Sequence, residues 1–203
     1  LYVDPGVSES YIPKLSNLVK NSPFLLLGNT APHLQIELLN QMQASPFVLL
    51  DTFKLYIDIA NKELKDLVKR VDLFCINFNE ARALSEMDGS DLLSMSRRIL
   101  DLGPKSLIIK DGENGSHYFD SKNHFSIKAF PINEVIDTTG AGDAYIGGIL
   151  MGKMSGMSIF DAMKMGAVTA SFCIEGVGVE GLLKINDLEF EKRLAWMNAN
   201  HTS

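Results

Sequence analysis

VIDTTGAGDAYIGG, residues 135–148, decides how the rest of the chain is read. Two apolar residues run into Asp137, two threonines, Gly140-Ala141-Gly142 and a second acid, Asp143, after which a helical pattern begins. Three of the smallest residues stand where the chain turns into a helix. A bound anion can therefore approach backbone N–H groups that lack helical partners, at the positive end of the helix dipole. Asp143 then stands beside that anion site, where an uncompensated carboxylate is repulsive. Something must bring positive charge there or hand the acid a proton.

Transfer of a phosphoryl group to a hydroxyl meets both demands: the acid takes the hydroxyl proton, the amides hold the migrating charge, and Mg²⁺ neutralises the nucleotide phosphates. Helix capping accounts for the same residues more plainly, since Asp in a first turn and Gly ahead of a helix are both common.

Outward from this stretch, short apolar runs alternate with amphipathic segments: LYVD and ESYIPKLSNLVKN, FLLLGN and PHLQIELLNQM, FVLLDT and LYIDIANKELKDLVKR, VDLFCIN with NEARALS and SDLLSMSRRILDLG. The runs are rich in Leu, Val, Ile and Phe without polar alternation, as expected of strands buried on both faces. The intervening segments carry apolar residues at helical spacing, for example Leu34, Leu38 and Met42. Strand and helix in alternation predict an α/β fold, a three-layer sandwich with a mostly parallel central sheet. After SLIIK the rhythm changes: DGENG reads as a turn, and SHYFD and HFSIKAF as antiparallel edge strands. Helices are expected from about Gly142 to Met154, from about Ile159 to Ile174, and around DLEFEKRLAWM.

In such sheets ligands bind beyond the carboxyl ends of the strands. That rule selects GNT (28–30), DTFK (51–54), INFNE (76–80), KDGENG (110–115) and DTTGAGD (137–143). Within DTFK, Asp51 and Lys54 could touch substrate or phosphate, although simple strand termination explains them.

DTTGAGDAYIGGIL matches, at all fourteen positions from Asp137 to Leu150, the C-terminal signature of the ribokinase-like, or PfkB-type, carbohydrate kinases, and the chain resembles that family over its whole length. The resemblance implies Asp143 as catalytic base and the amides of Gly140, Ala141 and Gly142 as anion hole. NFNEARALS is similar to the family's N-x-x-E motif, implying Asn77 near the nucleotide phosphates and Glu80 on the water shell of Mg²⁺; a helix start explains the motif equally well in isolation. KDGENG fits the family's strand with paired glycines, which adds Lys110, Gly112 and Gly115 to the nucleotide-contacting residues, with Thr138. A hairpin turn is compatible with the same residues. The resemblance further implies a monovalent cation, K⁺, beside Asp137.

Other signals are discounted. GVGVEG (176–181) satisfies G-x-G-x-x-G but follows a helix, with no room for the acidic ribose partner about 20 residues on; in the resembled family this loop borders the adenine pocket. Met151, Met154, Met157, Met163 and Met165 read as core filling, and the four histidines have no metal-ligand spacing. Nineteen basic against 25 acidic residues give a net charge of −6, with no basic stripe for nucleic acid or an anionic membrane. No apolar run approaches the ~18 residues of a membrane span. Cys75 and Cys173, far apart in apolar sequence, read as reduced buried thiols of a cytoplasmic protein. NGS at 114 and NHT at 200 are chance matches to a glycosylation pattern.

The expectation is a single domain over 1–203, incomplete at its N-terminus: the chain starts at Leu1 in what reads as a strand, and the family's first strands, its sugar-gripping glycine motif and its β lid have no counterpart. The implied activity is ATP-dependent phosphorylation of a hydroxyl on a small sugar or nucleoside. The alternative is a non-catalytic nucleotide- or sugar-binding module that keeps the fold. Family members pair through the lid, so a homodimer stays open.

Overall fold

The computed structural model describes residues 11–87, 89 and 91–201, so the strand expected at residues 1–4 lies outside the described residues. Strands β1 (Phe24–Leu27), β2 (Phe47–Asp51), β3 (Leu73–Asn77) and β4 (Ser106–Lys110) are parallel neighbours in that order. β5 (Ser116–Asp120) and β6 (His124–Ile127) follow as antiparallel neighbours. β5 is paired on both sides, so only β6 of these two is an edge strand, in place of the two expected. β6 ends at Ile127 because the next amide, Lys128 N–H, donates to Nε2 of His201 (3.0 Å) and leaves the sheet.

Helices cover both faces, as the unbroken apolar character of β2, β3 and β4 demands. One face, carrying Leu50, Phe74, Ile76, Leu107 and Ile109, packs with α2 (Pro32–Gln41), α4 (Asn61–Val68), α5 (Phe78–Ser85) and α6 (Leu92–Leu100). The other, carrying Leu49, Leu73, Cys75, Ile108 and Tyr118, packs with α7 (Ala141–Met154), α8 (Ile159–Cys173) and α10 (Asp187–Asn200). Two short helices, α1 (Asn17–Lys20) and α9 (Glu180–Leu183), complete the set with α3 (Lys54–Ile59).

The segment 55–70, read as one helix, is two. Ala60 takes a non-helical conformation (φ −136°, ψ 36°), and the Asn61 side chain closes α3 by donating to Ile57 O (3.1 Å). The methionines divide as well. Met163 and Met165 are buried, but Met151 and Met154 are 58% and 61% exposed on α7, so those two do not fill the core.

α7 and α8 meet at backbone distance. A Cβ on Gly148 would lie 2.8 Å from Gly166 Cα, one on Gly152 would lie 2.9 Å from Ala162 Cα, and one on Gly166 would lie 2.7 Å from Tyr145 O. Tyr145, Ile146 and Ile149 fill the space below, and the buried Tyr145 hydroxyl meets Ser116 Oγ at 2.6 Å. This packing fixes where α7 begins, and hence where residues 140–143 stand.

Candidate active site

The carboxyl ends of the parallel strands lie on one edge of the sheet, and the start of α7 comes down onto it. Gly140 is the N-cap in the left-handed region (φ 80°), a conformation glycine adopts without steric cost. The Ala141 amide is taken within the turn by Thr138 O (3.2 Å), leaving Gly140, Gly142 and Asp143 as the amides for which no acceptor occurs among the described residues. Thr138 and Asp143 are exposed, so the carboxylate at 143 faces outward, away from packed interior.

Asn77 and Glu80 form a capping box at the start of α5. Asn77 Oδ1 accepts from Glu80 N and Glu80 Oε2 accepts from Asn77 N, each at 2.9 Å. Glu80 is nevertheless only 4% exposed, and its Oε1 has no partner among the described residues. Burial raises its carboxyl above the usual range, against the Asn77 amide and the Lys110 charge, which lower it.

Lys110, from the end of β4, is the cation of this edge. Its Nζ lies 3.0 Å from Asp51 Oδ1 at the end of β2, and 3.1 Å from the position a Cβ on Gly142 would occupy. Burial works against the ammonium, but nearby Cys75, then Asp51 and Glu80, outweigh it and hold Lys110 above the ordinary lysine range. Burial raises Asp51, a trend that neighbouring Asp143 adds to and Lys110 opposes. Residues from four separate stretches therefore converge: Asp51, Asn77 with Glu80, Lys110, and 140–143.

The remaining candidates stand aside from this cluster. Gly112 opens a 3₁₀ turn, Gly112–Asn114, with φ 56° and open space around it. Gly115 turns the other way, where a Cβ would press on Lys128 Cα at 2.7 Å, so its lack of a side chain is explained by the passing chain. Asp137 accepts from Thr139 N (2.9 Å) and Gly178 N (3.2 Å). Lys54 is an exposed helix residue paired with Asp58.

Sequence reasoning preferred strand termination for Asp51 over contact with substrate or phosphate, and discounted 176–181 as a dinucleotide motif while placing the loop beside the adenine pocket by resemblance. The structure ties both to the site. Beneath the turn, the Cys173 thiol lies 3.6 Å from Thr139 O and 3.9 Å from Gly178 O. Arg193 of α10 anchors the base of the loop, donating to Glu175 Oε2 (2.7 Å) and Ser171 Oγ (2.8 Å) with its guanidinium 3.8 Å from the Phe172 ring centre. Strand order could have flagged Asp51, since it places β2 two positions from β4.

No helix among the described residues is long and apolar enough to cross a membrane.

Fructokinase-2 of Oryza sativa subsp. japonica is 32% identical over 126 residues, covering 57% of this chain and 36% of its own length. The 1-phosphofructokinase of Borreliella burgdorferi is 27% identical over 197 residues, covering 92% and 60%. The chain thus spans between about a third and three fifths of these relatives. The structure of Arabidopsis thaliana ribokinase complexed with ribose and ATP superposes with a TM-score of 0.74 at 22% identity, over 87% of this chain and 57% of that one. The family model for pfkB family carbohydrate kinases matches residues 5–185, and the chain belongs to that family.

Proposed function

We propose that this chain forms the nucleotide and phosphoryl-transfer half of an ATP-dependent kinase acting on a hydroxyl of a small sugar or nucleoside. The observation that carries the reading is the Asp143 carboxylate, exposed at the start of α7 beside the unclaimed amides of Gly140 and Gly142.

In this reading Asp143 orients the acceptor hydroxyl and takes its proton as the oxygen attacks the γ-phosphorus of ATP. The bond from that phosphorus to the β–γ bridging oxygen breaks, and ADP leaves. The amides of Gly140, Gly142 and Asp143, with the dipole of α7, stabilise charge on the migrating group. Ala141 contributes by shaping the turn, since its amide is engaged by Thr138. Thr138, Asn77 and Gly112 border the nucleotide phosphates, and Gly115 shapes the loop that carries Gly112. The free Oε1 of Glu80 suits a water of Mg²⁺, which keeps most of its waters and binds proteins through one or two carboxylates. The metal supplies neutralisation of phosphate charge. Asp137 serves as a latch for the 176–181 loop, each of its oxygens accepting one amide, and the lone pairs left on those oxygens are where the K⁺ implied by the resemblance would bind. The ribose and ATP of the Arabidopsis structure, and the fructose compounds in the relatives' names, favour a sugar acceptor.

The test uses the complete protein that contains this chain, assayed for ADP release over a panel of sugars and nucleosides with Mg·ATP. Asp143→Asn is expected to lower turnover by ~10²–10⁴ and leave nucleotide affinity nearly unchanged, the range for loss of a general base. Turnover equal to wild type in that variant removes Asp143 from the chemistry. ATP binding with no turnover on any acceptor identifies a binding module instead.

A further inference from the structure

We propose that Asp51 is a positioning residue of the phosphoryl-transfer site, fixing the Lys110 ammonium beneath the amide-lined turn at 140–143. The inference rests on the kinase reading above and adds to it a residue at the end of a different strand.

β3 separates the two partners. Asp51 pairs in register with Cys75 of β3, and Lys110 pairs with Asn77. Adjacent strands are ~4.8 Å apart, so the Lys110 side chain must cross roughly two such spacings to meet Asp51. The row it crosses is occupied by the small side chain of Cys75, and Asp51 and Lys110 project from the same sheet face as Leu49 and Ile108, by the two-residue alternation of strands. Only a long side chain passing over a small residue can make this contact, and it arrives 3.0 Å from Asp51 Oδ1.

The end point matters more than the crossing. Nζ lies 3.1 Å from where Gly142 would carry a Cβ, at the first turn of α7 whose amides are unclaimed. Elsewhere this face of the sheet is largely apolar, filled by Leu49, Leu73, Cys75 and Ile108, with the Ser116–Tyr145 hydroxyl pair satisfied within it. A buried ion pair is a weak source of stability compared with apolar packing of equal volume. A pair placed where the apolar face meets the anion-binding turn is therefore better explained by what it holds in position. Glu80 is the competing carboxylate: without Asp51 the ammonium is drawn toward it and away from Gly142.

Asp51 adds a negative charge near bound phosphate, so its removal has two opposite effects. Loss of the charge favours nucleotide binding; loss of the anchor misplaces the ammonium during transfer. Asp51→Asn in the complete protein is therefore expected to lower kcat by about 10–100-fold, short of the loss on removing a charge-stabilising donor outright, while KM for Mg·ATP stays level or falls. Asp51→Glu is expected to recover part of kcat. In a Lys110→Met background, adding Asp51→Asn is expected to cause no further loss, because Asp51 acts through Lys110; this double variant carries no unpaired buried charge and covers the case in which Asp51→Asn fails to fold.

Unchanged kcat in Asp51→Asn, an equal loss in the Lys110→Met background, or a parallel loss of kcat and rise of KM tracking a lowered Tm overturns the proposal and leaves the kinase reading standing. Absence of ATP-dependent phosphorylation by the wild-type protein overturns both.

Discussion

Asp137 bonds two amides that are 39 residues apart, Thr139 N at 2.9 Å and Gly178 N at 3.2 Å, so one carboxylate joins the turn at the start of α7 to the loop after α8. Ile136 N and Asp137 N, both donating to Ile174 O, run alongside it. The bonds from the Thr139 and then the Gly178 amide hold the Asp137 carboxyl below its ordinary range. For an acid depressed in the folded state, the stabilisation is present above the unfolded pKa near ~3.9 and is lost as pH falls through the folded value. The latch is thus closed at neutral pH and opens only in strong acid. Asp137→Ala is expected to speed amide exchange of Gly178 at pH 7 and to weaken ATP binding several-fold, with an exchange rate in residues 60–70 like that of wild type. Exchange at Gly178 unchanged by the substitution would show that the loop is held by other contacts.

Gly147 of α7 and Gly166 of α8 differ in what surrounds them, and their substitutions should differ in sign. A Cβ on Gly147 meets nothing within 4 Å, so Gly147→Ala is expected to stabilise by about 0.5–1 kcal/mol through helix propensity. Gly166, facing α7 from α8, would place a Cβ 2.7 Å from Tyr145 O, an atom of the backbone that cannot rotate away. Gly166→Val is expected to cost roughly 1–3 kcal/mol and to lower Tm by roughly 2–12 °C. Because α7 carries Asp143, the folded fraction should also lose turnover. Thermal melts of the two variants, side by side with wild type, check the contrast.

The elements were legible where one segment alone determines its state. LFCIN and SLIIK have no polar alternation and are buried on both faces, and SHYFD after DGENG turned back as an antiparallel strand. What sequence could not supply was anything set by register between distant strands. Asp51 and Lys110 are 59 residues apart, and neither looks unusual alone; only the order β2-β3-β4 makes them opposing ends of one bridge. The N-x-x-E spacing was ambiguous for a physical reason: three residues is the reach of a capping box, and also places a carboxylate at the end of a strand where phosphates bind. Here Asn77 and Glu80 form the cap while one oxygen of Glu80 stays free, so the two readings are not exclusive. Met151 and Met154 illustrate the limit of composition, since an apolar residue on a helix reports burial only once the covering element is known.

Cys75 lies under the Lys110 bridge at 0% exposure, and burial pushes its thiol up to about 12, with Lys110 opposing and Asp51 and Glu80 adding to the shift. The unfolded chain loses that proton near pH ~8.5, so above this value the unfolded state binds fewer protons than the folded one and stability falls with rising pH. The slope is about 1.4 kcal/mol per pH unit until the folded thiol itself ionises. Lys110, held above the lysine range, adds its own loss above pH ~10.4, because a raised base contributes stability that is complete below its unfolded pKa and disappears through the folded one. Wild-type Tm is therefore expected to decline from about pH 9 and to steepen above about 10.5. Cys75→Ala should flatten the first part of the curve and soften the second, because the Cys75 thiolate is among the charges that hold Lys110 up. The combined Asp51→Asn, Lys110→Met variant should flatten the second and leave the first. A Cys75→Ala curve parallel to wild type between pH 9 and 10 would mean that water reaches the thiol beneath the bridge, and the Asp51–Lys110 contact would then not seal the sheet edge.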